Sequence, residues 1–226
     1  SCLWVEGATV AVFGRGTASE TFTAGQVSFG EARLLCFPVR SAKGSFALTT
    51  SPLALSRFAR DAELEFPVPE QPVDMTCLSS PTCTMEKNKH KGIVLEEYRF
   101  NSVGVFPEVW ANYLSTLLDD AVLSGAKDRF VLLSDGDMGH FAVNACQVNQ
   151  HVRIDDQTGT AEKGGLFNEE TVPSETLFYS AITPLKQSDG VTALLDNLAT
   201  EQLIQFGGDG TTGLGFCTIK INSNKG

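Results

Sequence analysis

Two stretches of this sequence carry groups suited to holding a phosphate. The first, Phe37-Pro38-Val39-Arg40-Ser41-Ala42-Lys43-Gly44, places two cations, a hydroxyl and a glycine at the end of a strand-like run. Arg40 offers a planar fork of donors and Lys43 a point charge, while Ser41 and the Gly44 amide add hydrogen bonds. A solvated turn has the same letters. The second stretch is Gly207-Gly208-Asp209-Gly210-Thr211-Thr212-Gly213-Leu214-Gly215. Residues 208–213 spell G-x-G-x-x-G, but the dinucleotide mechanism needs a helix to follow, and here a strand follows. What remains is physical: Gly207, Gly208, Gly210, Gly213 and Gly215 allow close backbone approach, and successive N–H groups can form an anion nest. A plain inter-strand loop is the competing reading.

Other candidates are weaker. Cys77, Cys83 and His90 could supply three zinc ligands, but the spacing matches no established zinc pattern and lacks a fourth ligand. Asp135-x-Asp137 resembles the opening of a calcium loop, yet Gly139 stands where a ligand belongs, so a turn is expected. His140 and His151 read as structural residues of a helix and a strand. The sequence holds no G-x-S-x-G elbow and no Walker A motif, which argues against a self-contained hydrolase or an NTPase.

The elements that must position these groups are short and mixed. Ala32–Val39 is a continuous apolar run, as in a strand buried on both faces, and Gly44–Thr50 reads as its partner. Ser51-Pro52 is an N-cap with proline at the first helical position. Residues 66–92, with four prolines and a charged run, read as a long surface insertion. Pro107–Leu123 has the strongest helical periodicity, and Arg129–Ser134 is a strand running into a second helix. Val148–Asp155 is a strand ending in a turn, while Lys163–Pro173 and Leu177–Thr183 read as the arms of a hairpin-like excursion (160–176). Asp189–Leu198 is helical, and Leu203–Phe206 and Phe216–Ile221 are strands flanking the glycine-rich loop. Without a regular βαβ alternation, the class is α+β: an antiparallel sheet with helical insertions.

The chain has 226 residues, 42% of them hydrophobic, with Gly 21 and Pro 9. This is globular composition, long enough for one large domain or two small ones, and no apolar run reaches the ~18 residues of a membrane helix. The formal charge of −10 excludes a generic polyanion binder, but it is unevenly spread. Within residues 1–60, six basic residues (Arg15, Arg33, Arg40, Lys43, Arg57, Arg60) face three acidic ones (Glu6, Glu20, Glu31), so an anion-binding surface would draw on this part or on backbone amides. Six scattered cysteines and no glycosylation sequon suit a reducing, cytoplasmic compartment.

Several segments then resemble one family in order. They include Glu31–Ala47 with Thr49-Thr50-Ser51-Pro52, Gly25–Phe29, Leu132-Leu133-Ser134-Asp135, Arg153–Thr160, Gly165–Glu170, Glu175-Thr176-Leu177-Phe178 and Gly207–Gly215. Together these resemble the RAMP-superfamily backbone subunits of type III-B CRISPR (Cmr) effector complexes. The resemblance implies a single domain over 1–226 with an RRM-like (ferredoxin-like) palm and a thumb hairpin carrying Leu166 and Phe167. It also implies CRISPR RNA, target RNA, further copies of the chain and other effector subunits as partners, with RNA near Arg40, Ser41, Lys43, Gly44 and the glycine loop. Such subunits take part in metal-dependent cleavage of target RNA, so a divalent ion such as Mg2+ is implied if the chain cuts. The sequence departs from the family at its start: the N-terminal segment bearing the first palm strand and the catalytic-Asp loop is not found, so no catalytic residue is assigned. A non-cleaving RNA-binding scaffold and a zinc-containing interaction module are the alternatives.

Overall fold

The computed structural model describes residues 12–14, 23–87 and 90–222. The strands, in chain order, are β1 (Val27–Phe29), β2 (Arg33–Ser41), β3 (Ser45–Thr50), β4 (Thr76–Ser79), β5 (Met85–Lys87), β6 (His90–Leu95), β7 (Tyr98–Gly104), β8 (Phe130–Leu132), β9 (Gln147–Ile154), β10 (Ala161–Thr171), β11 (Leu177–Tyr179), β12 (Ile182–Pro184), β13 (Leu203–Gln205) and β14 (Phe216–Thr218). The helices are α1 (Pro52–Asp61), α2 (Glu108–Leu114), α3 (Ala121–Ser124), α4 (Asp135–Asn144) and α5 (Asp189–Thr200). The chain divides into two compact units. One comprises Leu34–Ser115 and Gly125–Phe178; the other comprises the residues up to Arg33, Thr116–Ser124 and the chain from Tyr179 onward.

The first unit is built on an eight-stranded sheet in the order β11-β2-β3-β8-β4-β7-β6-β5. Most pairings are antiparallel, as expected, but β3–β8 and β4–β7 are parallel. The apolar run of β2 buries Leu35 to Val39 without interruption, which requires cover on both faces. Phe37 and Val39 pack in one cluster with Ala47, Ile93, Leu95, Phe100 and the α4 residues Met138 and Phe141. Helix α1 buries Leu55, Phe58 and Ala59, and α2 buries Trp110, Ala111 and Leu114. Phe66 packs edge-on against α2, its ring centre 5.3 Å from that of Trp110 and 5.2 Å from that of Tyr113, while Phe58 of α1 lies 6.2 Å from Tyr113 and links the two helices. The Ser51 hydroxyl accepts from the Ala54 amide and Pro52 opens α1, as the sequence indicates.

Three expectations need correction. Residues 66–92 are not a surface insertion throughout: β4 lies inside the sheet between β8 and β7, and Cys77, Ser79 and Cys83 are buried. The segment before it is also held at Pro67, whose carbonyl accepts from the indole N–H of the buried Trp110 at 2.9 Å. The long helix at Pro107–Leu123 breaks after Leu114. Ser115 bonds back to the Asn112 carbonyl, and Asp120 caps a separate α3 by accepting from the Leu123 amide, so side chains that compete with helical hydrogen bonds end the run. The hairpin excursion is formed by β9 and β10, not by Lys163–Pro173 against Leu177–Thr183.

The second unit holds two antiparallel pairs, β1–β12 and β13–β14, with α3 and α5. Helix α5 is capped by the Ser188 hydroxyl and buries Val191 and Leu194. Val12 and Leu123 are also buried in this unit.

Candidate nucleic-acid interface

Strands β2 and β3 meet at a tight turn, Ala42-Lys43-Gly44, with Ser41 opposite Ser45. Gly44 takes φ 86°, a conformation that suits glycine, and the Ser41 hydroxyl closes the turn by donating to the Lys43 carbonyl at 3.0 Å. The turn is braced from outside. Lys43 Nζ donates to the Thr84 carbonyl at 2.8 Å, and Arg129 Nη1 donates to the Gly44 carbonyl at 2.8 Å while its guanidinium lies 5.0 Å from the Phe46 ring centre.

Arg40 is placed by a second hairpin. Ser41 pairs with Leu95 of β6, which brings the Glu96-Glu97 turn beside Arg40. Arg40 Nε lies 3.1 and 3.0 Å from the two Glu96 carboxylate oxygens, and Nη2 lies 2.7 Å from Oε2. The Glu96 hydrogen bond, reinforced by its charge, pushes the Arg40 pKa above its ordinary value, so the guanidinium is permanently cationic.

A cleft of about 620 Å³ opens beside this pair. Arg40, Glu96, Glu97 and Tyr98 line it together with the C-terminal end of α4, Gln147 at the start of β9, and Pro173 beyond β10. The cleft therefore lies at the root of the β9–β10 hairpin. His140 lies on α4 as expected and, although exposed, has a partner for each ring nitrogen: Nε2 lies 3.2 Å from the Tyr98 hydroxyl and Nδ1 3.2 Å from Asn144 Nδ2. Sequence reasoning missed this group, although the four-residue spacing of His140 and Asn144 on a helix is a legible signal. Asp135 and Asp137 hold no calcium-loop geometry. Their carboxylates accept from the Leu53 and Met75 amides, fixing the start of α4.

The β9–β10 hairpin projects apolar groups. Leu166 pairs with Val152 and Phe167 with His151, and both Leu166 and Phe167 are exposed. The His151 ring stacks on Phe167 at 5.4 Å, with its Nε2 3.1 Å from a Glu169 carboxylate oxygen. At the tip, Asp155 accepts from the Gln157 and Thr158 amides and the Thr158 hydroxyl, and these bonds hold its pKa below the ordinary carboxylate value.

The glycine-rich loop belongs to the other unit and joins β13 to β14. Three of its amides turn inward: Thr212 and Leu214 donate to the Asp209 carbonyl and Gly213 to that of Gly210, while the Phe206 amide just before the loop donates to the Gly215 carbonyl. The Gln205 amide fills the loop, donating toward the carbonyls of Phe206, Gly207 and Leu214. Gly207 (φ 89°) and Gly208 have open space around them.

The zinc reading has no ligand set. Cys77 is buried in the sheet core, where burial pushes its thiol up to about 12, and Cys83 is raised for the same reason, whereas His90 is exposed. Zinc requires the thiolate, which burial opposes. Among the described residues, no three His, Cys, Asp or Glu side chains gather as a metal site.

The chain matches the RAMP superfamily over residues 4–218. It is 33% identical, over 95% of its length and 76% of the relative's, to the CRISPR system Cmr endoribonuclease Cmr4 of Pyrococcus furiosus. The crystal structure of oligomeric Cmr4 from that organism superposes with a TM-score of 0.69 at 26% identity, covering 96% of this chain and 77% of the other. A chain from a cryo-EM structure of Type III-B Cmr-beta bound to cognate target RNA shares the fold, with a TM-score of 0.67 at 16% identity, covering 95% of this chain and 75% of the other. The α+β architecture, with its ferredoxin-like palm, is thus that of known relatives, and the chain belongs to the RAMP superfamily.

Proposed function

We propose that this chain is a backbone subunit of an RNA-guided type III-B CRISPR effector complex. It binds CRISPR RNA and takes part in cleavage of complementary target RNA in antiviral defence. The observation that carries this reading is the 33% identity, over 95% of the chain, to a protein named as a Cmr endoribonuclease. Its partners are CRISPR RNA, target RNA, further copies of itself and other effector subunits, and its compartment is the cytoplasm. Among the described residues, no helix is long and apolar enough to cross a membrane.

The geometry gives each part a task. Arg40, Lys43 and the Gly44 amide supply donors for the ribose-phosphate backbone, with the Ser41 hydroxyl holding the turn that presents them, which is how a protein holds RNA without reading its sequence. The Gly207–Gly210 side of the glycine loop offers close backbone approach. Leu166 and Phe167 on the thumb are apolar wedges that stack against or separate bases.

Cleavage would draw on a divalent ion such as Mg2+; among the described residues, no three His, Cys, Asp or Glu side chains gather to hold one. A second reading is an RNA-binding subunit that does not cut. The two separate on assembling the complex with CRISPR RNA and labelled target in Mg2+ or EDTA. Regularly spaced cuts in Mg2+ alone support the cutting subunit; stable target binding without cuts supports the scaffold; failure to bind either RNA overturns both.

A further inference from the structure

Glu96 occupies a costly position. It is the first residue of a two-residue turn between β6 and β7 and has φ 50°. Hairpins favour glycine where φ is positive, and a non-glycine residue there costs about 1 kcal/mol. The Glu96 side chain is only 17% exposed, yet it is spent on Arg40, whose side chain is 84% exposed. An exposed ion pair adds little stability, so stability does not account for the arrangement.

The bonding pattern does. Glu96 grips the Nε and Nη2 side of the guanidinium, leaving Nη1 without a protein partner among the described residues. The two residues are also tied through the backbone, since the Glu96 amide donates to the Arg40 carbonyl at 2.9 Å. Arg40 and Glu96 both line the cleft at the thumb root. A guanidinium held by one edge and open at the other is prepared for a second, bidentate acceptor, and phosphate fits that geometry.

We infer that Glu96 is a positioning residue for RNA: it fixes Arg40 so that the Nη1–Nη2 edge meets a backbone phosphate. This rests on the reading of Arg40 as an RNA contact. The simpler electrostatic expectation has the opposite sign, because deleting an anion from an RNA-binding surface should tighten binding.

The test is fluorescence anisotropy of the full chain with labelled single-stranded RNA. Positioning predicts that Glu96→Ala weakens binding about tenfold, comparable to one charge-assisted hydrogen bond, despite removing a negative charge. Glu96→Gln, which keeps one acceptor oxygen, recovers most of the loss. The Arg40→Ala/Glu96→Ala double variant binds no more weakly than Arg40→Ala alone. Glu96→Gly melts no lower than the wild type, because glycine suits the turn, yet binds RNA as weakly as Glu96→Ala. Wild-type or tighter binding by Glu96→Ala and Glu96→Gly, with Arg40→Ala still weakened, overturns the inference alone. Wild-type binding by Arg40→Ala instead overturns the RNA-contact reading beneath it.

Discussion

The Ala42–Gly44 turn and the Gly207–Gly215 loop both connect antiparallel strands, yet they use their donors in opposite ways. The turn closes with the Ser41 hydroxyl, leaves Arg40 projecting from a rigid strand end, and has its backbone braced by Arg129. The loop spends amides on its own carbonyls and fills its centre with Gln205. Side-chain cations on a short, braced turn keep donors available for a ligand. The glycine-rich loop commits the amides of its Thr212–Leu214 side to holding its own shape.

The largest effect expected from this contrast is on RNA affinity. Arg40→Ala combined with Lys43→Ala should weaken single-stranded RNA binding roughly 100-fold, the equivalent of two charge-assisted contacts, with little change in melting temperature. Equal losses from disrupting the glycine loop would break the contrast. Gly215→Ala is the sharpest loop variant. A Cβ at that position would meet the Phe206 carbonyl oxygen, and φ is 75°. It should destabilise the β13–β14 hairpin by about 2–3 kcal/mol, read as faster amide exchange, while RNA affinity falls less than the Arg40/Lys43 pair requires. Gln205→Ala should cost about 1 kcal/mol by the same measurement, since it removes the loop's internal donor.

The smallest effect is chemical. Burial raises the Cys36 and Cys77 thiols to about 12, so neither carries thiolate at pH 8, and both should resist alkylation until the chain unfolds. Among the described cysteines, exposed Cys217 should react first. Cys146 lines the cleft, so bound RNA should slow its alkylation.

Local signals proved readable where a short stretch decides its own structure. The apolar run of β2, the Ser51-Pro52 start of α1 and the strands around the glycine loop follow from residue type alone. What escaped depended on distant partners. Nothing within residues 66–92 announces that Thr76–Ser79 will be enclosed between β7 and β8, because proline and charge dominate that stretch. Nor does Val148–Asp155 state that its partner is Ala161–Thr171 rather than a later strand, although the Asp155–Gly159 turn was visible. Arg40 and Lys43 were identifiable as cations at a strand end. The carboxylate that holds Arg40 lies 56 residues away, and only the Ser41–Leu95 pairing brings it near.

The account depends on the Arg40–Lys43 turn meeting phosphates, and the salt dependence of RNA binding tests this most directly. Anisotropy titrations of wild type and of the Arg40→Ala/Lys43→Ala variant across a salt series give the slope of log K against log [salt]. Loss of two phosphate contacts on a single strand should make the slope shallower by about 1.4. An identical slope in the two proteins would contradict the account.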